Sequence, residues 1–145
     1  MDLWEWLETT IPVGEATADA AALRKKTAEA TGDLRSMNQM ALCRFYNAEA
    51  DKRPIMSPLL RHIARRHLRQ AIRSAQYYPD PLAVRAGELG KEGNYWEAAK
   101  EIEDVVPRQR VWIDVFKDPD GSRQLQLCSD LATAGAARSV LAQFD

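Results

Sequence analysis

Cysteine is scarce in this chain. Only Cys43 and Cys128 occur among the 145 residues, and neither belongs to a CxxC motif or to a cysteine–histidine cluster. Small secreted domains that depend on disulfides have denser cysteine patterns, and structural zinc sites need closely spaced ligands. We therefore predict no metal site and interpret both cysteines as small residues of the core.

Long apolar runs are also missing. No uninterrupted run approaches the roughly 20 residues needed to span a bilayer. The first residues, MDLWEW, lack the basic start and the apolar stretch of a secretory signal. We expect a protein that resides in the cytoplasm and does not bind a membrane.

Cofactor and nucleophile motifs are absent as well. The GELGKEG stretch contains a glycine–lysine pair, but it lacks the spacing and the Ser/Thr of a phosphate-binding P-loop. No dinucleotide fingerprint and no GxSxG motif occurs. We predict no cofactor, and an enzymatic role is the less favoured one.

The chain has the composition of an ordinary folded protein. Hydrophobic residues make up 46% and charged residues 28% of the sequence, which argues against disorder. A length of 145 residues fits one domain. We therefore predict a single domain over residues 1–145.

Helical signals dominate the first 106 residues. Asp2 can cap a short opening helix, and further helices are predicted over residues 15–31, 33–50, 58–76, 82–89 and 94–105. In the helix over 33–50 the apolar residues recur at three- and four-residue steps, which predicts a buried face of Leu34, Met37, Ala41, Phe45 and Ala48.

The pattern changes after Pro107. Val111, Ile113 and Val115 alternate with other residues, Leu125 and Leu127 do the same, and turn formers fill residues 117–121. This alternation predicts a β-hairpin, followed by a last helix that Asp130 caps. The expected fold is therefore mainly α within the α+β class. It has about six helices over 1–106, and a β-hairpin plus helix over 110–145.

Acidic residues are absent from residues 52–79, where seven Lys or Arg residues occur. The rest of the chain therefore has a formal charge of about −8, and the first 23 residues contain five acids and no base. On a helix, the arginines of this segment climb one flank at three- and four-residue steps. We define the arginine stripe as Arg61, Arg65, Arg66, Arg69 and Arg73.

The arginine stripe predicts an anionic partner, because like charges at i,i+4 repel and guanidinium groups bind phosphate through two hydrogen bonds. RNA or DNA backbone is the favoured partner, and Tyr77 and Tyr78 are candidate base-stacking surfaces. The function that follows is a non-enzymatic accessory subunit of a larger assembly. Alternatively, acids of this chain neutralise the arginine stripe, with residues 1–23 and the Glu97/Glu101/Asp104 face as candidates. A further alternative is that the stripe is a solvated face with no role.

A protein–protein interaction module is the second hypothesis. An inhibitor or assembly factor would place the basic helix against an acidic partner. A protein partner or a second copy would bind through the edge of the β-hairpin or through Trp4 and Trp6.

The residues Arg61-His62-x4-His67 give the third hypothesis. This spacing resembles the Arg-polar-x4-His signature of the HEPN superfamily, small helical domains that include metal-independent ribonucleases. The resemblance covers residues 61–67 alone. It implies that Arg61 holds the scissile phosphate and that His67 assists attack by the 2′-hydroxyl. The β-hairpin expected here is not part of that superfamily's helical plan.

Overall fold

A computed structural model describes residues 2–11 and 14–117, together with residues 121, 123 and 142. The chain divides into two compact units, Met1–Ala75 and Gln76–Asp145. No helix in the described part is long and apolar enough to cross a membrane.

The first unit contains four α-helices and one short 3₁₀ turn. The helices are α1 (Leu3–Thr10), α2 (Thr17–Glu29), α3 (Gly32–Lys52) and α4 (Ser57–Ser74), and the 3₁₀ turn is Gly14–Ala16. α1 begins as predicted, because the Asp2 carboxylate accepts the Glu5 backbone N–H at 2.8 Å and the Glu5 carboxylate accepts the Asp2 N–H at 3.2 Å.

An antiparallel hairpin of α3 and α4 forms the core of the first unit. Its buried apolar side chains come from both helices, and Ala64 and Ala71 of α4 allow close approach. Near the far end of the hairpin, the buried Ser36 hydroxyl donates to the Ala71 carbonyl across the two helices at 2.6 Å. The fully buried apolar residues are Met40, Leu42, Tyr46, Ala50, Leu60, Ile63, Ala64 and Ala71.

The buried face predicted for α3 is wrong. Leu34 is 60% exposed and Met37 is 40% exposed, so the apolar residues at those steps lie on the solvent side. The buried side includes the polar residues Ser36 and Gln39, which have hydrogen-bond partners inside the unit. Polar side chains that have hydrogen-bond partners can occupy core positions. For this reason the spacing of apolar residues alone predicted the wrong face of α3.

The described part of the second unit contains a helical hairpin. It joins α5 (Asp80–Lys91) to α6 (Tyr95–Phe116), as predicted except that both helices are longer. Gly93 in the connection has φ +85°, a left-handed conformation that glycine adopts without strain. The core of the hairpin includes Leu82, Ala86, Ala98, Val105 and Trp112.

The predicted β-hairpin is contradicted, and with it the α+β class. Residues 111–116 belong to α6, and the described residues contain only helices, turns and irregular segments. Trp112 is buried with Gln109 and Val105 at helical spacing, whereas Val111 and Val115 are exposed. Tertiary packing of this helical face therefore overrides the alternating pattern. Pro107 lies inside α6 rather than ending it. The second predicted strand and the last helix lie outside the described residues.

Candidate nucleic-acid interface and buried polar pocket

The arginine stripe occupies the solvent side of α4. The opposite side of that helix is buried through Leu60, Ile63, Ala64, Leu68 and Ala71. This apolar face fixes the rotation of α4, so the basic flank is held outward rather than folded into the core.

Two of the five arginines have acidic partners within the first unit. Nη2 of Arg61 lies 2.5 Å from Oδ1 of Asp51, and Nη2 of Arg66 lies 2.6 Å from Oδ2 of Asp2. The N-terminal segment thus neutralises one arginine and the end of α3 neutralises another. On the other predicted acidic face, Glu101 pairs with Arg85 instead.

The remaining three arginines stay open to solvent. Arg65, Arg69 and Arg73 are exposed, and among the described residues none of them forms an ion pair. They follow each other at four-residue steps, which places their Cα atoms about 6 Å apart along the axis and about 12 Å from first to last. Within the described part of the chain, these three arginines therefore form a positive row on α4 without an acidic partner.

The two tyrosines predicted to stack on bases have different environments. Tyr78 is 4% exposed, donates its hydroxyl to Asp80 at 2.9 Å and packs its ring against Trp112. Its ring is therefore part of the core of the second unit. Tyr77 is 46% exposed, so of the two only Tyr77 presents a surface to solvent.

His67 lies in a buried hydrogen-bond network and not beside Arg61. Its Nε2 is 2.6 Å from Oε1 of Glu8, and its Nδ1 is 2.5 Å from Oε1 of Gln39. The exposed fractions of His67 and Glu8 are 6% and 8%. Six residues apart on one regular helix, Arg61 and His67 point about 120° apart. The structure therefore does not bring the HEPN-like pair together.

Arg24 and Tyr46 extend this network. Nη1 of Arg24 donates to the Tyr46 hydroxyl at 2.8 Å and lies 3.9 Å from Oε1 of Glu8. The Tyr46 ring stacks on the His67 ring with centroids 5.7 Å apart. Burial and the nearby Glu8 carboxylate raise the pKa of Tyr46, so the phenol stays protonated and neutral at physiological pH.

An open cavity of about 150 Å³ lies against this network. All four helices of the first unit line it: Glu5 and Glu8 on α1, Arg24 on α2, Arg35 and Gln39 on α3, and Arg66, His67 and Gln70 on α4. We call it the polar pocket. Its residues are distant from each other in the sequence and form no motif. The sequence therefore predicts a functional role only for Arg66 and His67 among them.

The N-terminal tryptophans differ in exposure. The Trp4 ring stacks on the His62 ring with centroids 3.9 Å apart, whereas Trp6 is exposed. Trp6 is thus the one of the two that presents most of its ring to a partner. Cys43 is buried, in agreement with its interpretation as a core residue, and Cys128 lies outside the described residues.

Comparison with known protein families, with curated proteins and with solved structures finds no match to this chain. Within the described ranges, no group of three or more His, Cys, Asp or Glu side chains is arranged to hold a metal ion.

Proposed function

We propose that this protein binds the phosphate backbone of RNA or DNA through the arginine stripe, as a non-enzymatic accessory subunit of a larger assembly. One observation carries this proposal. Arg65, Arg69 and Arg73 are exposed in a row on α4 and have no ion-pair partner in the part of the chain that the structure describes.

Electrostatics favours a polyanion as the partner of this row. Neighbouring guanidinium groups at i,i+4 repel each other by a few tenths of a kcal/mol, and a phosphate bound between them removes that penalty. Because the row rises in steps of about 6 Å, successive arginines can reach successive or alternate phosphates of one strand. Such contacts read the backbone and not the base edges, so we expect little sequence preference.

Arg61 and Arg66 contribute less than the exposed row. Asp51 and Asp2 already hold their guanidinium groups, and phosphate has to displace or share those carboxylates. Both ion pairs are partly exposed, so exchanging a carboxylate for a phosphate costs little.

Fluorescence anisotropy with a labelled single strand and a labelled duplex tests the proposal. A triple variant, Arg65→Gln, Arg69→Gln and Arg73→Gln, is compared with wild type. The matched control is Lys25→Gln, Lys26→Gln and Lys91→Gln, which makes the same change in net charge at other exposed positions. We expect the stripe variant to lose binding and the control to keep most of it. Equal losses in both would show that only net charge matters and would refute the arginine stripe as a site.

A protein–protein interaction module remains the second candidate, and the exposed apolar side of α3 supports it. Leu34 and Met37 lie on solvent there, and Ile55 beyond the end of α3 is 95% exposed. Poly-glutamate of matched length in the same assay separates the two functions. Binding of the peptide without binding of either nucleic acid would favour an acidic protein partner.

Ribonuclease activity is the third candidate, and the same tubes test it. RNA recovered after incubation is compared between wild type and His67→Gln. Cleavage that depends on His67 would support the HEPN-like hypothesis, although His67 lies under Glu8 and Gln39. We expect intact RNA in both samples.

A further inference from the structure

The polar pocket contains more hydrogen-bond donors than it can satisfy internally. Arg24, Arg35 and Arg66 reach it from three different helices. Arg24 uses one N–H on Tyr46 and Arg66 uses one on Asp2, whereas Arg35 has no partner among residues 2–11, 14–117, 121, 123 and 142. Each guanidinium has five N–H donors. Arg35 is exposed, and most guanidinium N–H groups of the three arginines have no partner among the described residues.

The acidic residues of the pocket are already engaged. The Glu8 carboxylate lies 2.6 Å from the His67 ring nitrogen and 3.9 Å from Arg24. The Glu5 carboxylate accepts the backbone N–H of Asp2 at 3.2 Å. Three arginines line the pocket with these two carboxylates, and Asp2 pairs with Arg66 from outside the lining. The formal charges therefore balance, and the surplus of the pocket is one of hydrogen-bond donors. A ligand for it is rich in acceptors, and a charged acceptor forms the stronger hydrogen bonds with guanidinium groups.

The volume of the cavity and the arrangement of its arginines limit the class of ligand further. A cavity of about 150 Å³ has the volume that holds a molecule of about six heavy atoms, as an engineered cavity of that size holds benzene. Guanidinium forks bind carboxylate and phosphate alike, but a tetrahedral phosphate has oxygens in more directions for groups that come from three helices. We propose that the polar pocket binds a phosphate group, with Arg24, Arg35 and Arg66 as its donors.

The pocket lies beside the arginine stripe on the same helix. Arg66 belongs to both, and Arg69 and Arg73 are each three residues from a pocket residue of α4, Arg66 and Gln70 respectively, so they are neighbours on the helix surface. The phosphate therefore has two sources. One source is the terminal phosphate of a strand bound along the arginine stripe, and this source rests on the proposed function. The other is a free phosphate or a small phosphate monoester, and this source is independent of the proposed function.

A titration of the labelled protein by two-dimensional NMR tests the pocket without any nucleic acid. Inorganic phosphate is added at constant ionic strength and compared with acetate. We expect saturable shifts of backbone amides around Gln39 and Gln70 with a Kd of about 1 mM or below. Arg35→Gln should weaken phosphate binding at least tenfold, whereas Arg110→Gln, at an exposed position outside both the pocket and the arginine stripe, should leave it unchanged. No saturable shift, tighter binding of acetate than of phosphate, or equal effects of the two substitutions would overturn the proposal.

Strands of one sequence with a terminal phosphate or a terminal hydroxyl then distinguish the sources. If the strand supplies the phosphate, the phosphorylated strand binds more tightly and Arg35→Gln removes the difference. If it does not, inorganic phosphate still saturates the pocket and the two strands bind alike. Failure of the arginine stripe to bind any strand would refute the proposed function and leave the phosphate titration intact, so the two proposals fail separately.

Discussion

Removal of the His67 side chain should destabilise the first unit through an electrostatic mechanism. His67 faces Glu8 at 2.6 Å and Gln39 at 2.5 Å, and its side chain and that of Glu8 are 8% and 7% exposed. His67→Leu preserves much of the volume but leaves the Glu8 carboxylate without its nearest partner. A buried charge that loses its partner is costly, whereas an apolar pair of similar volume is tolerated.

The expected loss of unfolding free energy follows from the contacts that Glu8 retains in the variant. Removing the hydrogen-bond partner of a buried carboxylate costs up to about 3–5 kcal/mol, the range for a buried charge left without its partner. We expect about 3 kcal/mol for His67→Leu, the lower end of that range, because Arg24 remains 3.9 Å from the same carboxylate oxygen. Glu8→Leu should cost less, about 1 kcal/mol, because the His67 ring retains a hydrogen bond to Gln39. The double variant should cost about 2 kcal/mol less than the sum of the single changes.

Hydrogen exchange of the amides of α3 measures these free energies for the first unit alone. The slowest amides near Tyr46 report its unfolding under conditions in which opening precedes exchange. These amides lie in the first unit. Additive effects of Glu8→Leu and His67→Leu, within about 0.5 kcal/mol, would refute the reasoning because independent sites add in this way.

Other predictions test the remaining structural conclusions. Leu34→Ser should change the free energy of unfolding by less than about 0.5 kcal/mol, whereas Met40→Ala should cost about 2–5 kcal/mol. Urea denaturation of both variants checks which face of α3 is buried. A larger loss of stability in Leu34→Ser than in Met40→Ala would support the face predicted from the sequence. The Glu5 backbone N–H, with help from Arg66, lowers the pKa of Asp2 below its ordinary value of 3.8. The stabilisation of α1 by Asp2 is thus complete above the unfolded pKa and is lost as the pH falls through the lower, folded pKa. An acid titration of the Glu5 amide shift should show this loss in wild type and no corresponding transition in Asp2→Asn.

Local signals in the sequence gave the helices of the described part. The Asp2 cap, the glycine at position 93 and the apolar face of α4 are short-range features, and each acts as expected. The arginine flank was predictable for the same reason, because one buried face fixes the orientation of the other side of a helix.

Long-range packing decided the features that the sequence did not reveal. On α3, Gln39 is buried because His67 lies opposite it. No local pattern in the sequence predicts that contact. On α6, the alternation around Trp112 resembled a strand, but burial at helical spacing determined the outcome. The polar pocket combines Arg24, Arg35 and Arg66 from three helices, so it exists only once those helices have packed.

The salt dependence of strand binding tests the central claim most directly. For single-stranded nucleic acid, the slope of log K against log salt is about −0.7 for each phosphate neutralised. If Arg65, Arg69 and Arg73 each contact a phosphate, their replacement by Gln should reduce the magnitude of the slope by about 2. The matched lysine control should leave the slope nearly unchanged. A slope that is the same in wild type and in the stripe variant would contradict the claim that this row of α4 binds the phosphate backbone.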